Sequence, residues 1–166
     1  MRSAFRVLPY LIALGFLALF LARRFGANTP YAPSGAGIFF LVAALAIGPG
    51  LIVNLGLKDH AHRPRPINVR EFGGVDEFKT WYQFDGACAK NCAFPSGEAA
   101  QGFWTLAPAM LVPLPWRGPA IAAALVFGTA TSVWRMAFGA HFLSDVLVGA
   151  LISIIVVLVL RMRMRV

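Results

Sequence analysis

The chain has 166 residues, of which 58% are hydrophobic and 13% are charged, and its formal net charge at pH 7 is +8. Soluble domains carry roughly 25% charged residues, so this composition excludes an ordinary soluble domain, and it also excludes a disordered chain, a collagen-like repeat and a coiled coil. The remaining class is an integral membrane protein. We expect a single membrane-embedded domain over residues 1–166.

Charge-free segments predict about five membrane-spanning helices, which makes the expected fold an all-α polytopic bundle. In chain order the segments cover residues 7–22, 35–57, 99–116, 118–134 and 142–160. The first segment has the length of a signal peptide, but Arg23 and Arg24 follow it where a cleavage site of small residues would stand. A long polar loop over residues 58–98 separates the second and third segments, and connections of this length are usually functional.

The basic residues predict which side of the membrane each loop faces. With five spans, one side carries arginines and no acid: Arg23, Arg24, Arg117, Arg161, Arg163 and Arg165. Short segments rich in Lys and Arg mark the cytoplasmic face, so we expect a bacterial inner-membrane protein whose long loop faces the periplasm. Arg2 and Arg6 contradict this rule, which indicates either an exception or an upstream helix missing from this chain. No nucleic-acid partner is expected, and the oligomeric state is left open.

Both cysteines, Cys88 and Cys92, lie in the long loop, in the sequence C-A-K-N-C. Two thiols this close can form a disulfide in an oxidising compartment. The alternatives are two unpaired thiols, or a metal site completed by a histidine, which is weak because there is no second ligand pair. We expect no metal and no other cofactor.

Three polar clusters lie at span ends on one predicted face, where ionisable residues are costly and indicate function. The candidates for binding a phosphate are Lys58 and Arg65 in the first cluster, Ser96 and Gly97 in the second, and Arg135 in the third. Three cations can neutralise a phosphate dianion. The free N–H groups of a helix that opens at Ser96-Gly97 can bind phosphate oxygens.

The third cluster also offers a nucleophile, because His141 and Asp145 stand four residues apart on one helix face. Asp145 can accept the Nδ1 proton of His141 and leave a lone pair on Nε2. The pair can instead have a structural or proton-relay role. A lipid-headgroup patch is a further alternative for three arginines of the loop, Arg63, Arg65 and Arg70. His60 and His62 are expected to be loop residues without a ligand role.

The three clusters resemble the signature of the type 2 phosphatidic acid phosphatase (PAP2) superfamily, the membrane relatives of the vanadium haloperoxidases. Lys58 to Pro66 matches its first motif, Lys, six residues, Arg-Pro, and Pro95 to Gly97 matches three residues of Pro-Ser-Gly-His. The third motif has the spacings of Arg135, His141 and Asp145. The resemblance covers about residues 51–160. The combined pattern of Ser-Gly-Glu-Ala, then Arg-Met-Ala and His-Phe-Leu-Ser-Asp, resembles a bacterial subgroup that includes lipid A phosphatase-like proteins.

The resemblance implies that His141 forms a phosphohistidine and that Asp145 orients it. It implies that five residues bind the phosphate: Lys58, Arg65, Ser96, Gly97 and Arg135. It also implies no metal, inhibition by vanadate and six helices, so we expect the first family helix to be absent from this chain. The implied activity is hydrolysis of a lipid phosphate monoester or pyrophosphate at the periplasmic face. A lipid phosphotransferase and a non-catalytic lipid-phosphate binder remain alternatives.

Two residues depart from the family motifs. Trp134 replaces the serine before Arg135, and Glu98 replaces the histidine that assists the leaving group in the family. Partial burial and repulsion by a bound phosphate would raise the pKa of Glu98, so that the neutral acid can protonate a departing alkoxide. We therefore predict that Glu98 is the general acid.

Overall fold

The computed structural model describes residues 2–29 and 32–166, with side chains described from residue 7 onward. In these ranges the helices are α1 (Arg2–Arg24), α2 (Gly35–Leu45), a π-helical segment (Ala46–Lys58), α3 (Gly97–Trp104), α4 (Leu106–Leu111), α5 (Leu114–Ala137) and α6 (Leu143–Met164). The side chains of Arg2 and Arg6 lie outside the described part. The structure confirms the prediction of an all-α bundle of apolar helices.

Within the described residues, four helices are long and apolar enough to cross a membrane: Val7–Arg24, Gly35–Lys58, Leu114–Ala137 and Leu143–Met164. The third expected span, over residues 99–116, instead forms the two short helices α3 and α4. Pro108 has no N–H to donate to the carbonyl of Trp104, so the helix breaks at Thr105. Val112 is extended because a proline follows it, which ends α4 and lets α5 begin at Leu114 rather than at residue 118.

The π-helical segment continues α2 as far as Lys58, the last residue before the long loop. Pro49 lies inside it and cannot donate a backbone hydrogen bond. The side-chain amide of Asn54 donates to the carbonyl oxygen of Pro49 at 2.6 Å, which satisfies an acceptor in the widened turns. π-helical turns are frequent at functional sites, and this segment delivers both Asn54 and Lys58 to one end of the bundle.

The hydrophobic core lies between α2, α3, α4, α5 and α6. It is centred on Trp104, which is fully buried with Phe40 and Val157. The indole N–H of Trp104 donates to the carbonyl oxygen of Leu41 at 3.2 Å. α3 and α5 approach closely, because a Cβ added to Gly102 would lie 3.1 Å from the Cα atom of Gly128. These contacts hold α3 in place, and α3 carries Glu98.

The long loop folds over the end of the bundle where α3 and α6 begin. Its first part contains two 3₁₀ turns, Pro66–Asn68 and Arg70–Phe72. Backbone hydrogen bonds join it to its own last part, from Ala93 to Arg63 at 2.9 Å, and to the α5–α6 turn, from Ile67 to Gly139 at 2.9 Å. A disulfide links Cys88 to Cys92. The loop thereby brings the three polar clusters of the sequence to one end of the molecule.

Candidate active site

The N-terminus of α3 forms one wall of the site. Ser96 is fully buried and caps the helix, since its hydroxyl oxygen accepts the N–H of Ala99 at 3.2 Å. Its own hydroxyl proton remains able to donate. Gly97 follows in the first turn, and a Cβ there would lie 2.6 Å from Oδ1 of Asn54, so the π-helical segment leaves space only for glycine. This arrangement agrees with the helix start predicted at Ser96-Gly97.

Glu98 lies between the two other parts of the site, which are the end of α5 and the turn that joins α5 to α6. Its Oε2 lies 3.4 Å from Nε2 of His141, and its Oε1 lies 3.5 Å from Nη2 of Arg135. The side chains of His141 and Arg135 are almost inaccessible, whereas 14% of the Glu98 side chain is exposed. The site is therefore a buried cluster of charges that reaches solvent through Glu98.

The pKa of Glu98, which lies outside the four membrane-spanning helices, is below its ordinary value of 4.5. Burial raises it, but the hydrogen bond with His141 and the positive charges of Arg135 and Lys58 together outweigh burial. The expectation of a raised pKa was therefore wrong. Burial and repulsion by a phosphate act in the opposite direction to the cations that the fold places around the carboxylate.

Nδ1 of His141 has a different partner from the one expected. It lies 2.7 Å from the backbone oxygen of Ala93, and 3.8 Å from Oδ2 of Asp145. Because a carbonyl oxygen only accepts, Nδ1 carries the donated proton. Nε2 is then the nitrogen that faces Glu98 and the N-terminus of α3. The predicted orientation of the ring is retained, but Ala93 supplies the closer hydrogen bond.

Asp145 is fully buried and forms an ion pair with Arg63, a residue to which the sequence analysis gave no role in the site. Its other carboxylate oxygen accepts the backbone N–H of Phe142 at 2.7 Å, which caps the start of α6 directly after His141. Its backbone oxygen accepts the N–H of Ser96 at 2.9 Å. Asp145 therefore joins the loop, α3 and α6 behind the imidazole.

Arg63 is 3% exposed, and two nitrogens of its guanidinium are held by hydrogen bonds. Nε donates to the carbonyl oxygen of Lys79 at 2.9 Å, and Nη1 donates to the hydroxyl of Ser144 at 2.8 Å. Its guanidinium lies 4.3 Å from the ring centre of Phe142. The only signal in the sequence was the dipeptide Arg63-Pro64 directly before the motif dipeptide Arg65-Pro66, and it does not distinguish a buried arginine from an exposed one.

Lys58 and Arg65 occupy different positions at the site. Lys58 is 7% exposed, and its Nζ donates to the carbonyl oxygen of Pro95 at 3.4 Å, beside the α3 N-terminus. Arg65 is half-buried, and its Nη2 donates to the backbone oxygen of Asn91 at 2.8 Å in the disulfide loop. The structure thus brings six predicted residues together, Lys58, Ser96, Gly97, Glu98, Arg135 and His141. Asp145 lies behind them and Arg65 lies at the rim.

The remaining histidines do not form a metal site. His62 Nδ1 donates to the carbonyl oxygen of Cys88 at 2.9 Å, so it supports the disulfide loop, and His60 is exposed. In the part of the chain that the structure describes, no group of three or more His, Cys, Asp or Glu residues is placed to hold a metal ion.

Comparisons with known proteins identify the family of the chain. The model of the PAP2 superfamily matches residues 37–165. The chain belongs to the PAP2 superfamily. It is thus a multi-pass membrane member of that superfamily, and the motif residues Lys58, Arg135 and His141 are the ones that its fold gathers. No solved structure gives a significant match.

Three curated relatives are each named lipid A 4'-phosphatase. The chain is 37% identical to the protein of Rhizobium leguminosarum over 158 residues, which cover 94% of this chain and 67% of that protein. It is 36% identical to the protein of Rhizobium etli, over 94% of this chain and 61% of the relative. The protein of Francisella tularensis subsp. novicida is 43% identical over 66% of this chain, and the matched part is 50% of its own length.

Proposed function

We propose that this PAP2 protein is a membrane phosphatase that removes a phosphate from lipid A, as the names of its relatives say of those proteins. The observation that carries the proposal is the position of Nε2 of His141, which faces Glu98 at the N-terminus of α3 between the buried cations Lys58 and Arg135. This site combines a nucleophile, a proton carrier and a phosphate cradle.

In this proposal, phosphate binding uses the charges and donors around the N-terminus of α3. Lys58 and Arg135 compensate the two charges of a phosphate monoester, and the N–H groups of the first turn of α3 bind its oxygens. The hydroxyl of Ser96 adds one donor. The proposed role of Arg65, at the rim, is to contact the phosphate or the sugar beside it. The charge that develops on the phosphoryl oxygens during transfer is stabilised by the same groups.

The chemical step begins with a proton between His141 and Glu98. Two bare acceptors at this distance would repel each other, so one proton lies between Nε2 and Oε2. When it rests on Glu98, the Nε2 lone pair attacks phosphorus. The N–P bond forms, the P–O bond to the lipid breaks, and the alkoxide takes the proton from Glu98. Glu98 thus serves as the acid after receiving its proton from the nucleophile.

Hydrolysis of the phosphohistidine completes the cycle. Glu98 is now ionised and accepts a proton from an incoming water, whose oxygen attacks phosphorus. The N–P bond breaks, inorganic phosphate leaves, and Nε2 recovers its lone pair. No step needs a metal ion. We place the site at the periplasmic face, because the arginines at the opposite end of the bundle are typical of a cytoplasmic surface.

The proposal is tested by phosphate release from purified full-length chain with lipid A, phosphatidic acid and undecaprenyl pyrophosphate. His141→Gln is compared with His60→Gln, which changes an exposed histidine of the loop. We expect release from lipid A that is lost in His141→Gln, retained in His60→Gln, abolished by vanadate and unchanged by EDTA.

Two further measurements separate the alternatives. A substrate with radioactive phosphorus should label wild type covalently and leave His141→Gln unlabelled. A second lipid added as an acceptor should not become phosphorylated, and if it does, the protein is a phosphotransferase. Binding of lipid A without turnover would show a non-catalytic binder and contradict the proposal.

A further inference from the structure

A cavity of about 550 Å³ lies on the side of the site formed by the α5–α6 turn and the first part of the long loop. Its volume falls in the range of pockets that hold small ligands. The loop contributes Pro66, Ile67 and Phe72, and the ends of the two helices contribute residues 136–139 and 141–143. The function described above uses only His141 of this set, which leaves the cavity itself without a role.

The lining is apolar and largely exposed. Four large side chains of the cavity are more than half exposed, namely Ile67, Phe72, Phe138 and Leu143. Among the lining residues His141 is the only ionisable one. Exposed apolar surface of this kind is unfavourable against water, so it contacts either the hydrocarbon of the bilayer or an apolar part of a ligand.

The cavity lies at the ends of two helices that are long and apolar enough to cross the membrane. Phe138 directly follows α5 and Leu143 is the first residue of α6, and both helices are long and apolar enough to cross the membrane. The hydrogen bond from Ile67 to Gly139 fixes the loop against this turn. Because the ends of membrane-spanning helices lie near the bilayer surface, the cavity lies at the depth where the acyl chains of a lipid join its headgroup.

The cavity also begins where the phosphate-binding residues end. Pro66 follows Arg65, and Met136 follows Arg135, so each cation has an apolar neighbour that lines the cavity. His141 belongs to both regions. A molecule with a phosphate at His141 and an apolar chain attached to it matches this change from charged to apolar lining.

We propose that this cavity binds an acyl chain of the lipid whose phosphate lies at His141, and so forms a substrate subsite. The proposal rests on the proposed function, because the chain belongs to the substrate of that reaction. The chemistry requires a hydrocarbon chain, which either the substrate or a bulk phospholipid can supply. The position next to the nucleophile favours the substrate.

The test compares two substrates that share a phosphate monoester and differ in acyl chains. One is lipid A and the other is glucosamine 4-phosphate, which has none. Phe72→Ser and Phe138→Ser change exposed side chains of the cavity, and Trp116→Ser is the matched control, since Trp116 is 69% exposed near the start of α5. We expect both cavity variants to raise KM for lipid A about tenfold with little change in kcat, and to leave glucosamine 4-phosphate turnover within twofold of wild type.

A labelling experiment identifies the source of the chain. Lipid A and phosphatidylcholine, each with a photoreactive group in one acyl chain, are irradiated separately with the full chain in nanodiscs. Labelling of peptides 66–72 and 136–143 by lipid A that exceeds labelling by phosphatidylcholine, and that falls in Phe138→Ser, supports the subsite. Equal labelling by both lipids assigns the cavity to bulk phospholipid and overturns the proposal of a substrate subsite.

The failure of this proposal is distinct from the failure of the proposed function. If wild type hydrolyses neither substrate, the proposed function is contradicted, while preferential labelling by lipid A still supports the subsite. If turnover of both substrates falls equally in the cavity variants, or if neither falls, the subsite is excluded and the hydrolase assignment stands.

Discussion

The backbone oxygen of Ala93 lies 2.7 Å from Nδ1 of His141, and this contact determines which imidazole nitrogen faces the phosphate site. Ala93 directly follows Cys92, and its own N–H donates to the carbonyl oxygen of Arg63 at 2.9 Å. Both cysteines and Ala93 therefore belong to one short segment that ends against the nucleophile. The orientation of His141 depends on the geometry of this segment.

Loss of the disulfide should consequently lower activity as well as stability. We expect Cys88→Ser combined with Cys92→Ser to lose about 2 kcal/mol of stability, the entropic contribution of a loop this short. We also expect kcat to fall severalfold, because Ala93 is held less firmly against His141. The measurement is thermal unfolding and lipid A turnover of the double variant, and of wild type with and without dithiothreitol. A variant with reduced stability and an unchanged kcat would contradict the link to His141.

Glu98→Gln should test the proton carrier directly. The amide keeps the shape of the side chain but cannot accept a proton from Nε2 of His141, so we expect kcat to fall about a hundredfold. The loss should be larger for lipid substrates than for esters with good leaving groups, which need no acid. Equal rates of Glu98→Gln and wild type on lipid A would remove Glu98 from the mechanism.

The pH dependence of stability follows from the lowered pKa of Glu98. A carboxylate whose folded pKa is below its unfolded value stabilises the fold above the unfolded pKa, and the contribution is lost as the pH falls through the folded pKa. The stability difference between wild type and Glu98→Gln should therefore be constant from about pH 5 to about pH 7 and shrink below about pH 4. A difference that shrinks as the pH rises would mean that the pKa is raised.

The sequence predicts the residues of the site better than it predicts the contacts that hold those residues in position. The motif residues have fixed spacings, and a helix that opens at Ser96-Gly97 and a pair at His141 and Asp145 are local features that composition and periodicity reveal. Contacts across the loop are not local. Ala93 acts through its backbone oxygen, which no side-chain pattern encodes, and the lowered pKa of Glu98 depends on a cation that is 37 residues away in the chain, Arg135.

The fold also contains features that the sequence predicts and features that it does not. Apolar runs predicted the long helices, since burial in a bilayer requires about 20 apolar residues. The third span is broken by Pro108 and Pro113, because neither residue can donate a backbone hydrogen bond. The length of the apolar run does not reveal this break. A lipid-headgroup patch is an alternative for Arg63 in the sequence, because composition alone does not show that its partner, Asp145, is buried.

Arg63 should be a positioning residue that acts through Asp145. Arg63→Gln leaves a buried carboxylate without its ion pair, so we expect a loss of about 3 kcal/mol in stability and a decrease in kcat with KM little changed. Arg63→Lys keeps the charge, so it should recover part of the lost stability and part of the lost kcat. Arg70→Gln is the control, since Arg70 is exposed and its Nε donates only within the loop, to Val75. If Arg63→Gln affected KM alone, Arg63 would contact the substrate instead.

Gly149→Ala tests whether the contact between α6 and the N-terminus of α3 holds the phosphate cradle. A Cβ on Gly149 would overlap the backbone oxygen of Ser96, which cannot rotate away as a side chain does. We therefore expect α3 to shift, with a loss of about 1–3 kcal/mol in stability and weaker inhibition by vanadate, because the N–H groups of the first turn no longer converge with Lys58.

Gly118→Ala is the matched control, since a Cβ at Gly118 in α5 meets nothing within 4 Å. Because alanine also has a higher helix propensity than glycine, Gly118→Ala should be neutral or slightly stabilising. Vanadate inhibition that is equally strong in both variants would show that the cradle does not depend on this contact.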